Sequence, residues 1–336
     1  MKKAAQIFFV VIFIFGFSLQ TSILKSYADE SSLKVTVGGA SVGGFWSSIG
    51  ESIGACVRKA YPGSCYSYEP GSGLGNIMKI TDKRIEVGIA YSAECLLAVK
   101  GAPPFKGEQK NLRALFTCVP NSIFHIVITK SFSDQYGIQY FSDIAKKKVP
   151  IRMGVNQRGN ITENMYRTAL EAIGITYEDI ESYGGKIYFQ SLSKSRDLIK
   201  DRKCETMGAG TFVPESKALD VSLTIPMNML YLDEAVVKHL IEVWGEKEVT
   251  IPTGTYKFQE KPYHSMYMKT LLICDESLPD EVAFKIVKSV HTNFDILQSV
   301  HKMMKKNTFQ SMIEDTFPLK LHPGALKYYR EAGLMQ

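Results

Sequence analysis

The 336-residue chain has no C-x-x-C pair, no H-E-x-x-H and no Cys/His cluster at zinc-ligand spacing. The local signatures of a dithiol redox site or a zinc site are therefore missing. The run Gly39–Gly44 lacks the lysine of G-x-x-x-x-G-K-[ST], which removes a P-loop, and Gly71-Ser72-Gly73-Leu74-Gly75 does not fit G-x-G-x-x-G. Internal repeats and low-complexity tracts are absent, and after the N-terminus no segment is apolar enough to span a bilayer. The charge has no strong sign: 40 Lys and Arg against 34 Asp and Glu give a formal +6. A small, scattered excess of this kind argues against a nucleic-acid partner and stays compatible with a mildly basic cleft for acidic metabolites.

What is present begins with an export pattern. Lys2 and Lys3 form a basic head, Ala4 to Leu19 is almost wholly apolar, and Ser26 and Ala28 supply small residues before Asp29. This predicts a secretory signal peptide over 1–28, cleaved after Ala28, and a periplasmic or otherwise extracytoplasmic mature chain. The rival is an uncleaved N-terminal anchor. No Cys precedes Cys56, which speaks against a lipid-anchored start at that cleavage point. Cleavage leaves 308 residues, enough for two lobes of about 150 residues each. It also removes Lys2, Lys3 and Lys25 and lowers the net charge to +3. In an oxidising compartment Cys56 and Cys65 can close a short loop, and buried free thiols are the equal alternative for the six cysteines Cys56, Cys65, Cys95, Cys118, Cys204 and Cys274.

The pattern then alternates strand, glycine loop and helix. Leu33–Val37 alternates as a half-buried strand. Gly38–Gly44 is a loop, and Phe45, Ile49, Ile53 and Val57 recur at helical spacing beside Trp46 and Ala60. Cys65–Glu69 reads as a strand, Pro70–Asn76 as a second glycine loop, Ile77–Thr81 as a helix and Ile85–Ala90 as a strand. A third unit runs from Ile151–Val155 through Asn156–Asn160 to a helix bearing Ile161, Met165, Ala169 and Ile173, with Gly174 as its C-terminal stop. Strands joined through helices imply a parallel sheet with right-handed crossovers. The fold class expected is α/β in two lobes, lobe I from 29–124 plus 272–336 and lobe II from 125–271. Two crossing strands, near residues 125 and 271, act as the hinge.

Loops at the carboxyl ends of parallel strands, feeding helix N-termini, are anion sites. The first N–H groups of a helix lack intrahelical partners and its dipole is positive there. Taken singly, each glycine run reads first as a tight turn; three in equivalent positions point to one small acidic ligand.

Several motifs then resemble one family. Gly38–Trp46 is similar to the opening G-T-G-S-x-G-G-x-Y of TAXI proteins, the solute receptors associated with TRAP transporters. The likeness continues through Leu112–Leu115, Thr176–Ile180 and Ile251–Tyr256 to Leu321-His322-Pro323-Gly324-Ala325 with Tyr328-Tyr329. The resemblance implies a type II periplasmic-binding-protein fold, with mixed or parallel sheets flanked by helices. It implies a small carboxylate solute, an amino acid or an oxo or dicarboxylic acid, and delivery to TRAP membrane permease subunits, without a cofactor. Carried over by position, the ligand-binding candidates are Ser41, Val42, Gly43, Phe45 and Trp46, then Ser72, Gly73 and Asn76. Tyr91 and Ser92 follow at a strand end, and Arg158, Gly159, Asn160, Gly210 and Thr211 come from lobe II. Three departures stand out: Arg158 replaces a small residue, Phe45-Trp46 stands where a tyrosine is usual, and the usual acidic position is Ala93, with Glu94 next.

Catalysis needs a base, a nucleophile or a metal cluster. None of His125, His239, His264, His291, His301 and His322 sits in such a motif, and His322 before Pro323 reads as a turn residue. The expectation is a receptor and not an enzyme; a ligand sensor for a signalling receptor and a secreted enzyme on the same fold are the alternatives.

Overall fold

The computed structural model describes residues 32–336. The expected signal peptide, and the first residues of lobe I at 29–31, lie outside them. Among the described residues no helix is long and apolar enough to cross a membrane.

The chain opens with β1 (Lys34–Gly38) and α1 (Phe45–Ala60), which buries Ile49, Ile53 and Val57 as its spacing predicts, together with Trp46, while Phe45 at the head of the predicted stripe is only half-buried. β2 (Cys65–Glu69), α2 (Gly73–Thr81), β3 (Val87–Tyr91) and α3 (Ser92–Lys100) follow. β1 pairs in parallel with both β2 and β3. β4 (Leu112–Thr129) then runs for 18 residues. The middle of the chain supplies β5 (Arg152–Gly154), α4 (Ile161–Ala172), β6 (Lys186–Tyr188), α5 (Leu192–Lys200) and β7 (Thr206–Thr211). It continues through β8 (Met227–Met229), α6 (Glu234–Trp244) and β9 (Lys247–Ile251). β10 (Tyr263–Asp275) returns, followed by α7 (Asp280–Thr292) and α8 (Pro323–Glu331). Shorter helices fill the connections.

The strands form one curled, ten-stranded mixed sheet in the order β2-β1-β3-β10-β4-β7-β5-β6, with β8 beside β4 and β9 beside β10. The two longest strands run antiparallel through its centre. The first half of β4 pairs with the second half of β10, Phe116 opposite Leu272. The second half of β4 pairs with β7, Phe124 opposite Gly210. Between these halves the register slips around Met268, Thr270 and Leu271. Pro120 falls at the same level of β4 and has no N–H to give. Sequence reading expects short strands at Phe124–Ile128 and Thr270–Cys274. Both are longer because residues 112–119 are buried on both faces and lack the period-two signal.

Hydrophobic packing changes over at the same level. Val87, Ile89, Phe116, Leu272 and Cys274 pack under α1, α7 and α8, while Ala90, Ala114, Leu271 and Ile273 face Ile77, Ile80, Cys95 and Ala98 of α2 and α3. A second core gathers Phe124, Ile126, Met153, Met165, Ala169, Val236, Leu240 and Met268. Each fully buried side chain of this size contributes about 1.5–3 kcal/mol of transfer free energy. This is a mixed α/β fold in which the carboxyl ends of β1, β3, β5 and β7 face a common region.

Candidate functional site

Those strand ends enclose a crevice of about 230 Å³. Ala40, Ser41, Gly44, Phe45 and Trp46 line it from the first loop and the start of α1, and Gly71, Ser72 and Gly73 from the second loop. Tyr91 and Glu94 come from the end of β3 and the first turn of α3. The opposite wall is Asn156, Gln157, Arg158, Asn160, Ile161, Ser191 and Thr211. All three glycine loops therefore share one gap. A larger depression of about 730 Å³ involves Tyr140, Leu232, Val237, Ile241 and His264, and none of the three glycine loops contributes to it.

The three loops are alike in sequence and different in what their amides do. In the first, Gly43 takes φ +76° and Gly44 N–H donates to Ser41 O at 3.1 Å, a turn that aims the chain into α1. Gly44 caps α1 without a side-chain hydrogen bond, and no acidic residue lies in the first turn. The leading amides of this 16-residue helix thus face the crevice without a side-chain acceptor, the condition for binding an anion. This loop also spells G-x-S-x-G, Gly39 to Gly43, between a strand and a helix, the local pattern of a nucleophile elbow. Among the described residues no histidine or carboxylate hydrogen-bonds the Ser41 hydroxyl.

The second loop is already filled. Ser72 Oγ accepts from Gly75 N–H at 3.3 Å. The Glu94 carboxylate accepts from Tyr91 N–H at 2.9 Å and from the Leu74 amide. It lies so close to Gly73 that a Cβ there would stand 1.7 Å from Glu94 Oε2. Glu94 is 2% exposed, and burial, opposed by the two amide bonds, pushes its carboxyl up to about 7.

The third loop caps itself. Asn160 accepts from Thr162 N–H at 2.9 Å, and Gly159 N–H donates to Glu163 at 3.1 Å. Arg158 is among the residues lining the crevice, while its guanidinium carbon stacks 3.6 Å from the Phe189 ring centroid, and both residues also line a neighbouring depression with Tyr177, Glu178 and Glu181.

Of the residues singled out from sequence, Ser41, Phe45, Trp46, Ser72, Gly73, Tyr91, Arg158, Asn160 and Thr211 are in the lining. Trp46 also belongs to the core and packs 4.8 Å from Tyr91, centroid to centroid. Val42 stands 77% exposed, outside the lining, and Gly43 and Gly159 supply turns with positive φ. Asn76, Ser92 and Gly210 lie behind the wall. Asn76 Nδ2 donates to Gly39 O and Ile89 O. Ser92 Oγ donates to Glu246 and accepts from Lys269 N–H. Gly210 N–H donates to Thr162 Oγ1, and its carbonyl accepts from Tyr91 Oη at 3.0 Å. Sequence reading missed Asn156, Gln157 and Ser191 as lining residues and treated Glu94 only as a displaced acid. Its position three residues past the strand end, at the N3 site of α3, is the signal that places it against backbone amides.

A family model described as the NMT1-like family matches residues 37–333. Among solved structures the chain is similar to MatC of Rhodopseudomonas palustris with bound malate, at 10% identity over 92% of this chain and 100% of that one, TM-score 0.52. It is similar to PhnD1 of Prochlorococcus marinus in complex with methylphosphonate, at 11% identity over 90% and 99%, TM-score 0.51. A protein described as a periplasmic transporter matches at 12% identity over 81% and 87%, TM-score 0.51. At these identities the likeness is one of fold.

Proposed function

This chain belongs to the NMT1-like family, and we propose that it is an extracytoplasmic receptor that captures a small carboxylate in the crevice and hands it to a TRAP-type permease. One observation carries the reading. The uncapped N-terminus of α1 and the residue Arg158 border a single gap small enough for a metabolite; in this reading the amides take the carboxylate and the guanidinium swings in as a bidentate donor. The structural neighbours hold malate and methylphosphonate, both small anions, which supports a solute of that kind here. Delivery to TRAP subunits rests on the TAXI-like motifs from Gly38 to Tyr329.

In this reading residues 29–124 with 272–336 form one lobe and 125–271 the other, and they close by bending where β4 and β10 slip register. A ligand touching both walls favours the closed form by its differential affinity for the two states. The Tyr91 hydroxyl on the Gly210 carbonyl is a latch between them.

The test is thermal melting and calorimetric titration of the chain beginning at Asp29 against succinate, L-glutamate, 2-oxoglutarate and their uncharged esters. A ligand at a hundred times its Kd stabilises by about 2.7 kcal/mol. Carboxylates are expected to raise Tm and esters to leave it alone. Arg158→Ala should weaken the best carboxylate tenfold or more without moving the apo Tm. A neutral solute that stabilises where every acid fails removes the reading.

A further inference from the structure

We propose that Glu94 makes one end of the crevice selective for a positively charged group, so that the solute is an ammonium carboxylate, of the α-amino acid kind, and not a dicarboxylate or an oxo acid. The inference rests on the receptor reading above and deepens it.

The crevice is lined by groups of opposite electrostatic character. The leading amides of α1 are donors with no side-chain cap and no acidic residue in the first turn, and Arg158 stands among the residues of the opposite wall. At the second loop the helix N-terminus cannot serve a ligand anion, because Glu94 occupies it. A carboxylate offers about four acceptor positions, and the Tyr91 and Leu74 amides use two. Among the described residues no Lys, Arg or His forms an ion pair with Glu94, although it is 2% exposed and lines the crevice. Buried ionised groups are paired or become neutral; burial favours the neutral form of the Glu94 carboxyl, and a cation beside it would favour the ionised one. An ammonium placed there supplies that cation and fills the acceptor capacity the amides leave. A second carboxylate placed there finds no counter-charge and meets repulsion from the ionised form of Glu94. Ser72 and Tyr91, the other polar side chains at this end, are already engaged: Ser72 Oγ accepts from Gly75 N–H, and the Tyr91 hydroxyl donates to Gly210 O. Neither replaces Glu94 as a counter-charge.

The experiment titrates the chain beginning at Asp29 with matched sets that differ only at the amine: L-glutamate, 2-oxoglutarate and glutarate; L-leucine and 4-methyl-2-oxopentanoate; L-alanine and pyruvate. In the set that binds, the amine member should bind at least tenfold tighter than its oxo or unsubstituted partner. Glu94→Gln, which keeps the shape and an acceptor for the two amides, should lower affinity for the amine member tenfold or more and leave its partner's affinity equal or higher. An oxo acid or diacid that binds the unmodified protein as tightly as its amine twin overturns the inference and leaves the receptor reading intact. Binding by no member of any set overturns both. The comparison on the unmodified protein decides the matter even where Glu94→Gln does not fold.

Discussion

Asn76 sits where the glycine loops meet, yet its side chain serves the fold. Both amide hydrogens are committed, to Gly39 O at 3.0 Å and Ile89 O at 2.8 Å, which ties the exits of β1 and β3 to the first turns of α2. The residue is fully buried. Asn76→Ala leaves two buried carbonyls without donors and a small void, a loss of about 2–4 kcal/mol, to be read as a lower urea midpoint at unchanged slope. Ligand affinity of the folded fraction should move little. A large loss of affinity with the urea midpoint unmoved would instead make Asn76 a contact residue. From sequence, a residue in the first turn after a glycine loop is a fair ligand candidate, and pattern alone does not say whether it turns toward the gap or beneath the strands. His322 was legible for the opposite reason. Its place before Pro323 fixes it as the cap of α8, with Nδ1 accepting from Gly324 N–H and Nε2 donating to Glu276 O. His291 is part-buried, with Nδ1 2.7 Å from Tyr328 Oη and its ring stacked on Phe309.

At the scale of elements, α1 and α4 were readable almost to their ends, because period and caps agree. α2 was not: it starts at Gly73, four residues before the apolar stretch opening at Ile77, held by Ser72 from within the loop and by Glu94 from the next helix. A partner 21 positions away leaves no local trace. It does leave a test in Gly73. Replacing glycine by alanine inside a helix ordinarily gains about 0.5–1 kcal/mol. Here the added Cβ would stand 1.7 Å from Glu94 Oε2, so the sign should reverse. Gly73→Ala should cost roughly 1–3 kcal/mol, the usual range for overpacking. In a Glu94→Ala background the cost should fall by about 1 kcal/mol or more, the signature of coupled neighbours. Chemical denaturation of the four proteins of the cycle measures it, and equal costs in both backgrounds would place the constraint elsewhere in the loop. The six cysteines follow the same division. Sequence leaves a Cys56–Cys65 bridge open, and in the structure all six are free thiols, five of them buried.

Across the whole molecule, the overall plan was legible because strand–loop–helix units recur. The central part was not, because β4 and β10 are long, doubly buried and interrupted by Pro120 and a register slip, so neither period nor propensity marks their length. Beside that crossing lies a second buried acid. Glu246 accepts from Ser92 Oγ, which in turn accepts from Lys269 N–H of β10 at 2.9 Å, and burial pushes its carboxyl up to about 7. Glu94 and Glu246 therefore share one linkage behaviour. A carboxyl raised from 4.5 to about 7 in the folded state contributes stability that is complete below about pH 4.5 and is lost as pH rises through 7. His125, His291 and His301, all held below their ordinary value mainly by burial, act the other way, and their contribution is lost as pH falls through their folded-state range. The raw profile between pH 5 and 8 mixes the two, so the informative quantity is a difference. Glu94→Gln and Glu246→Gln remove one titration each while keeping an acceptor. Relative to the unmodified protein each should gain stability as pH rises from 5 to about 7 and level off above it, by roughly 2–3 kcal/mol in all. Glu246→Gln should do so without altering amine-against-oxo-acid selectivity, since Glu246 lies outside the crevice lining. Melting temperatures of the three proteins across that range decide it. A difference that stays flat with pH would mean that the acid is already ionised in the folded state, with a counter-charge beside it.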